Sequence, residues 1–181
     1  MDECQGGTAN DSSGNGNSGT ITIGGTGTQT AVGTCTTSGT AWYNGVTGKY
    51  NSSLNFDGTD DLVLIPYSSK LDLPVFTVSA WVKPNGVQPG AAAIVTDIYP
   101  PKINYVISFN AGTLNVFGGI YLSGWYQTPA ATLVDGVWSF VTFSYDGSNL
   151  VLYVNGIRTG STPASITPSS SGTGIRIGQR W

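Results

Sequence analysis

Apolar and polar residues alternate along the most regular parts of this sequence. In residues 76–83 the two sides of the chain carry different sets: Phe76, Val78, Ala80 and Val82 on one, and Thr77, Ser79, Trp81 and Lys83 on the other. A period of two is typical of a half-buried β-strand, whereas an amphipathic helix repeats its apolar positions every three or four residues. The alternation therefore argues against a fold built on helices.

Turn signals divide the rest of the chain into short strands. Residues 138–159 predict a three-stranded meander, because Asn155-Gly156 supplies the positive φ angles of a two-residue hairpin turn. Seven further apolar runs are bounded by Gly, Pro, Asn or Asp clusters: Thr20–Ile23, Leu54–Phe56, Leu62–Ile65, Ile94–Thr96, Tyr105–Phe109, Thr113–Phe117 and Ile175–Ile177. No helix longer than one turn is predicted.

Ten or more short strands without intervening helices indicate an all-β fold, a two-sheet antiparallel β-sandwich. The 181 residues suit one domain over 1–181, in which residues of about 5–40, rich in Gly, Ser and Thr, form a long, partly ordered loop region. Trp42, Trp81 and Trp138 adjoin strand patterns and are expected in the core. Alternation predicts these further core residues: Phe56, Leu62 or Val63, Phe76, Val78, Ala80, Val82, Phe140, Leu152 and Val154.

Composition excludes several classes of function. Charged residues make up 9% of the chain, the net charge is −3, and no basic run exists, so a nucleic-acid partner is disfavoured. There is no histidine and Glu3 is the only glutamate, which removes His-based triads and most acid/base pairs. No apolar stretch approaches the roughly 20 residues of a membrane span. Met1–Cys4 lacks the basic and apolar regions of a signal peptide, which is expected of a segment excised from a longer protein.

Cys4 and Cys35 lie in stretches of Gly, Thr and Ser. An even number of cysteines in so charge-poor a chain favours an oxidising compartment and a disulfide. The alternative is a pair of small buried thiols, since two cysteines cannot supply the four ligands of a usual zinc site.

A set of segments occurs in a fixed order over nearly the whole chain: Met1–Glu3, Asp11–Thr20, Gly48–Tyr50, Leu54–Asp61, Phe76–Lys83, Gly136–Trp138, Tyr145–Gly147, Leu152–Gly156 and Ile175–Gly178. This ordered set resembles the laminin G-like, concanavalin A-like jelly-roll domains of bacterial surface and secreted proteins. The family usually adds an aromatic-containing first strand and a last strand with paired aspartates, and both are missing here. Their absence suggests a trimmed fragment or a sandwich with an open edge near Met1–Gln5 and Ile175–Trp181, through which chains could self-associate.

The resemblance also implies one structural calcium ion near the rim of the sandwich. Two groups of oxygen-bearing side chains are candidate ligands: Asp11, Ser13, Asn15 and Asn17 in a Gly-broken loop, and Asp57, Asp60 and Asp61 in a turn. The alternative for the first group is an Asx-rich turn, in which Asp11 and Asn15 bond their own backbone.

Some relatives of this fold are glycoside hydrolases, whose retaining members place two carboxylates about 5 Å apart. No strand here carries such a pair, so no catalytic residue is expected. Four aromatic residues in polar surroundings are candidates for stacking on sugar rings: Tyr99, Tyr121, Trp125 and Tyr126. The alternative is that Trp125 and Tyr126 only cover one end of the core.

These observations predict a non-catalytic recognition or adhesion module of a secreted or cell-surface protein, which binds carbohydrate or an extracellular protein through loops at one end of the sandwich. A structural spacer or fibre-forming block without a small ligand is the alternative, and a glycoside hydrolase is disfavoured.

Overall fold

The computed structural model describes residues 1–88, 90, 92–99, 102–168 and 172–178. A helix of one turn, α1, covers Ala41–Asn44, and a 3-10 turn covers Ser69–Leu71. The strands of the described residues are β1 Thr8–Ala9, β2 Gly19–Thr22, β3 Leu62–Ile65, β4 Phe76–Val82, β5 Ala93–Tyr99, β6 Lys102–Phe109, β7 Asn115–Tyr121, β8 Trp125–Gln127, β9 Ala131–Thr132, β10 Ser139–Tyr145, β11 Asn149–Val154, β12 Ile157–Pro163 and β13 Ile175–Ile177. No helix among the described residues is long and apolar enough to cross a membrane.

The strands form two antiparallel sheets. The larger sheet has nine strands in the order β1-β2-β3-β13-β5-β6-β7-β8, with β9 beside β7, and the smaller sheet has the order β12-β11-β10-β4. The main apolar cluster draws on both sheets, for example Ile107 and Ile120 from the larger and Phe143 and Leu152 from the smaller. The predicted all-β, two-sheet antiparallel sandwich is therefore confirmed.

The predicted meander is present as β10, β11 and β12. Asn155 and Gly156 adopt φ angles of 52° and 80°, as the two-residue turn requires. The run Leu54–Phe56 is not a strand. Leu54 instead packs beside Trp42 in a second apolar cluster, because a three-residue apolar run can bury itself in a loop as well as in a sheet.

The core prediction is correct for most strands and wrong for β10. Val63, Phe76 and Leu152 are buried. The remaining predicted positions are partly buried. Val78, Val82 and Val154 pack on the main apolar cluster, and Phe56 packs on the second. Ala80 is half-buried on the same side of β4 as Val78 and Val82.

Phe140 lies on the outer face of the smaller sheet. The inward side of β10 carries Val141, Phe143 and Tyr145. Phe140 is opposite Trp81 in the register of β4 and β10, with the two ring centroids 5.2 Å apart. Alternation places Val141, Phe143 and Tyr145 on one face and Phe140 with Thr142 and Ser144 on the other, so the prediction of Phe140 as a core residue chose the less apolar face. Trp81 is thus also outside the core, whereas Trp42 is fully buried.

The Gly-, Ser- and Thr-rich region is joined to the sandwich at several points. The predicted disulfide between Cys4 and Cys35 is present, with the Cα atoms 5.1 Å apart. Strand β2 pairs with β3 and extends the larger sheet. The indole N–H of Trp42 donates a hydrogen bond to the carbonyl oxygen of Gly6 at 3.1 Å.

The sheet edges differ from the expectation at one of the two predicted places, since β1 beside Met1–Gln5 is at an edge of the larger sheet. Ile175–Ile177 is not at an edge, because β13 pairs with β3 on one side and with β5 on the other. Residues 179–181, which were expected near an edge, lie outside the described residues. The edges of the smaller sheet are β12 and β4.

Candidate functional site

The hairpin of β7 and β8 carries three aromatic rings on its outer face, which we call the aromatic platform: Phe117, Tyr121 and Trp125. Tyr121 is opposite Trp125 in the register, with the ring centroids 5.4 Å apart. Phe117 meets Trp125 edge to face at 5.9 Å. Phe117 is buried, while Trp125 keeps 45% of its surface exposed, so the platform rests on the sheet and presents an indole to solvent.

A glycine and an amide complete this surface. A Cβ atom at Gly119 would lie 3.2 Å from the indole of Trp125, so glycine lets the ring approach the strand closely. Gln127 follows Trp125 by two residues, which places it on the same face, and it is exposed. An exposed aromatic ring beside an amide is an arrangement that can stack on a sugar ring and bond its hydroxyl groups.

The other two predicted aromatic residues are not brought to the platform. Tyr126 points to the opposite face of β8 and packs against the main core, as the alternative interpretation expected of it. Tyr99 ends β5, and its side chain lies outside the described part of the structure.

The carboxylates of Asp57, Asp60 and Asp61 form an acidic turn. One oxygen from each lies within 4.8 Å of the others. Backbone N–H groups of the segment 24–29, which we call the strap, donate to all three carboxylates: Thr28 to Asp57 at 2.8 Å, Thr26 to Asp60 at 3.1 Å and Gly24 to Asp61 at 3.3 Å.

Buried oxygen atoms beside this turn fit a hard cation. Gln29 is fully buried, and its amide nitrogen lies 3.4 Å from Asp61 Oδ2. Gln29 Oε1 and Asp60 Oδ1 are buried and accept no hydrogen bond from the described residues. Burial raises the pKa of Asp61, and the neighbouring Asp57 and Asp60 raise it further. Because calcium takes six to eight oxygen ligands, this group could hold such an ion.

The loop at Asp11 is arranged differently. One carboxylate oxygen of Asp11 accepts the N–H of Ser13 and the other accepts the N–H of Asn17, each at 2.8 Å. The amide of Asn15 donates to the hydroxyl of Ser13 at 2.9 Å. The hydrogen bonds from Ser13 and Asn17 lower the pKa of Asp11 to about 2. These contacts are those of an Asx-rich turn, and calcium ligation by Asp11, Asn15 and Asn17 stays a prediction.

A further group of aromatic residues lies on the outer face of the smaller sheet, and the sequence analysis did not predict it. Tyr50 meets Trp81 edge to face at 5.9 Å, and Phe140 packs beside the same indole. The ammonium of Lys49 lies 4.6 Å from the centroid of Trp81. The sequence signal for this group is an aromatic residue on the polar side of β4, since Trp81 shares that side with Thr77, Ser79 and Lys83.

Three solved structures show the same fold at low sequence identity. Domain 4 of AbnA, an extracellular arabinanase from Geobacillus stearothermophilus, in complex with arabinotriose, is 20% identical with a TM-score of 0.59, over 74% of this chain and 65% of that chain. The receptor binding domain of botulinum neurotoxin D is 12% identical with a TM-score of 0.63, over 93% and 41%. The binding domain of botulinum neurotoxin DC in complex with SialylT is 12% identical with a TM-score of 0.54, over 66% and 31%.

The chain spans less than two thirds of the length of each of these structures. No curated protein sequence matches it. The family model described as the concanavalin A-like lectin/glucanases superfamily matches residues 57–181. Since this match covers more than half of the chain, the protein belongs to the concanavalin A-like lectin/glucanases superfamily.

Proposed function

We propose that this protein is a non-catalytic carbohydrate-binding module of an extracellular or surface-anchored protein, and that the aromatic platform binds the sugar. The exposed indole of Trp125 carries the proposal. Tyr121 and Phe117 hold its ring in place, and Gln127 offers an amide for the hydroxyl groups of a sugar that stacks on it.

The related structures support carbohydrate as the class of ligand. The arabinanase domain was solved with arabinotriose, and the neurotoxin DC binding domain was solved with SialylT. Their ligands differ, so we propose the class of ligand and not one sugar.

The acidic residues support a binding role over hydrolysis. The three carboxylates that meet among the described residues lie in one turn, where each accepts backbone N–H groups of the strap. Glycoside hydrolysis needs two carboxylates on either side of a bound sugar. We assign the acidic turn a structural calcium ion instead, which would hold the strap to the sandwich. The Cys4–Cys35 disulfide supports an oxidising, extracellular compartment.

Calorimetric titration tests the platform, with arabinotriose as the first probe and a glycan array for other sugars. Trp125→Ala should weaken binding about 5- to 30-fold, because stacking contributes on the order of 1–2 kcal/mol. Tyr43→Ala is the matched control, since Tyr43 is an aromatic residue of α1 with a similar exposure of 41%. Equal affinity of the Trp125 variant and the wild type would refute the platform. A lack of any glycan ligand would refute carbohydrate binding and favour the structural spacer.

A further inference from the structure

The chain contains four Asn-Gly dipeptides, whose asparagines are Asn15, Asn44, Asn85 and Asn155. In such a dipeptide the backbone nitrogen of the glycine can attack the side-chain carbonyl carbon of the asparagine, because glycine has no side chain that hinders the approach. All four asparagines are exposed. Exposure to solvent therefore does not distinguish them, and the hydrogen bonds of each dipeptide determine where the attack can occur.

In two of the dipeptides a hydrogen bond holds the glycine nitrogen. The N–H of Gly45 donates to the carbonyl oxygen of Ala41 at 3.2 Å, at the end of α1. The N–H of Gly86 donates to Asp135 Oδ1 at 2.7 Å. The attacking nitrogen must lose its proton, and a hydrogen bond from the N–H group stabilises the protonated form. The carboxylate of Asp135 also repels the negative charge that develops on the nitrogen of Gly86. These two dipeptides are therefore protected.

The third dipeptide is protected through its side chain. Asn155 Oδ1 accepts the N–H of Phe140, and the backbone N–H of Asn155 donates to the carbonyl oxygen of Phe140, each at 2.8 Å. These two contacts fix the side chain of Asn155 toward β10. Closing a ring with Gly156 would turn the side chain away and leave the N–H of Phe140 without this acceptor.

The remaining dipeptide, Asn15-Gly16, has neither restraint. Among the described residues, none accepts a hydrogen bond from the N–H of Gly16 and none donates one to Asn15 Oδ1. Gly14 and Gly16 have φ angles of 79° and 78°, and a Cβ atom at either would meet no other atom within 4 Å, so the backbone around Asn15 has room to rotate. The side-chain nitrogen of Asn15 donates to the hydroxyl of Ser13 at 2.9 Å, a partner in the same exposed loop.

We propose that Asn15 is a site of spontaneous deamidation. Hydroxide takes the proton from the nitrogen of Gly16, and this nitrogen bonds to Cγ of Asn15. The side-chain nitrogen then leaves as ammonia with a proton from water, which regenerates hydroxide and leaves a succinimide ring. A second water opens the ring at either carbonyl carbon and gives aspartate or isoaspartate. The net reaction consumes one water, releases one ammonia and needs no oxidant or cofactor.

The modification changes the loop between β1 and β2. Either product adds one negative charge to a chain whose net charge is −3. Isoaspartate also adds one carbon atom to the backbone, because the chain then runs through the former side chain. The loop is separate from the aromatic platform, so this site goes beyond the proposed function.

The test follows all four dipeptides in one chain by peptide mapping with mass spectrometry. The full chain is incubated at mildly alkaline pH, once folded and once unfolded in urea. Digestion with chymotrypsin, which cuts after Trp42 and Tyr43, separates Asn15 from Asn44.

In the folded chain Asn15 should react about fivefold or more faster than each of the other three asparagines. This factor corresponds to a net hydrogen-bond contribution of about 1 kcal/mol. In urea the restraints are lost, and the four rates should become similar. Equal rates in the folded chain would overturn the proposal. The same preference for Asn15 in urea would also overturn it, because local sequence and not the fold would then determine the site.

Two variants test the role of the hydrogen bonds. Asp135 is exposed, so Asp135→Ala should fold as the wild type does, and it frees the N–H of Gly86. Asn85 should then react about fivefold faster while the rate at Asn15 stays unchanged. Asn15→Gln is the control and should form no product at this position, because glutamine would need a larger ring. Melting curves check that both variants fold. An unchanged rate at Asn85 in the Asp135 variant would contradict protection by the hydrogen bond.

Discussion

Phe140 and Phe143 belong to the same strand and have opposite environments. Phe143 is fully buried, and a side chain at Gly118 would overlap its ring, so the glycine leaves room for the aromatic residue. Phe140 is half-buried and packs against Trp81 on the outer face. The pair therefore separates what burial contributes from what an aromatic contact at the surface contributes.

We expect Phe143→Ala to lower the free energy of unfolding by about 3–5 kcal/mol, since it leaves a cavity in the main core. Phe140→Ala should cost about 1 kcal/mol, because it loses a partly exposed contact. Urea denaturation of both variants measures the difference. Equal losses would contradict the assignment of the inward face of β10.

Two aspartates should respond to pH with opposite sign. Burial and the neighbouring carboxylates raise the pKa of Asp61 above its ordinary value of 3.8, so the native state binds this proton more tightly than the unfolded chain does. The contribution of Asp61 to stability therefore falls as the pH rises from about 3.8 through the raised pKa. The N–H groups of Ser148 and Asn149 lower the pKa of Asp146, so its contribution is present above 3.8 and is lost as the pH falls.

Asp61→Asn should accordingly gain stability relative to the wild type between pH 3 and pH 7, and Asp146→Asn should lose it. Denaturation at both pH values in the presence of a chelator measures the two differences. The same sign for both variants would contradict the environments assigned to the two carboxyl groups.

At the level of elements, the sequence predicts strands best where alternation and turn chemistry agree. Strand β4 and the hairpin at Asn155-Gly156 follow from residues that are close in the chain. Strands β8 and β9 have three and two residues, too few for a period to show, and they exist because β7 offers them an edge.

The candidate sites show the same limit. The acidic turn was visible because its three aspartates lie within five residues of one another. The strap, which includes Gln29, contacts this turn from about 30 residues away in the sequence, so local patterns could not indicate the contact.

Calcium should act on the turn and the strap together. We expect millimolar calcium to raise the melting temperature, with a stabilisation of about 2.7 kcal/mol when calcium is at 100 times its Kd. Asp60→Ala should abolish the shift, because it removes the buried Oδ1 that has no partner. Asp11→Asn is the control and should keep the shift. Differential scanning calorimetry with calcium or with a chelator decides it, and a shift lost only in the Asp11 variant would place the ion in the other loop.

For the whole molecule, the two layers of the sandwich are unequal. The larger sheet extends through β13, β3 and β2, beyond the reach of the four-stranded sheet. Trp42, Ala41 and Leu54 cover part of that extension with loop and helix, and the disulfide closes the far end of the same region. Between this cover and β4 lies a groove that is lined by Leu54 on one side and Trp81 on the other.

The composition of β4 has a consequence for the behaviour of the protein at high concentration. Its seven residues carry no charge and no proline, and five of them are of the strand-forming types Phe, Thr, Val and Trp, which makes the strand a candidate for fibril nucleation. Pro74 precedes the strand, and Lys83 and Pro84 follow it. Residues of these types act as gatekeepers, since proline cannot extend a cross-β ladder and stacked lysines repel each other. The flanks thus confine the aggregation-prone part of this region to one short window, so a longer segment does not become prone to aggregation.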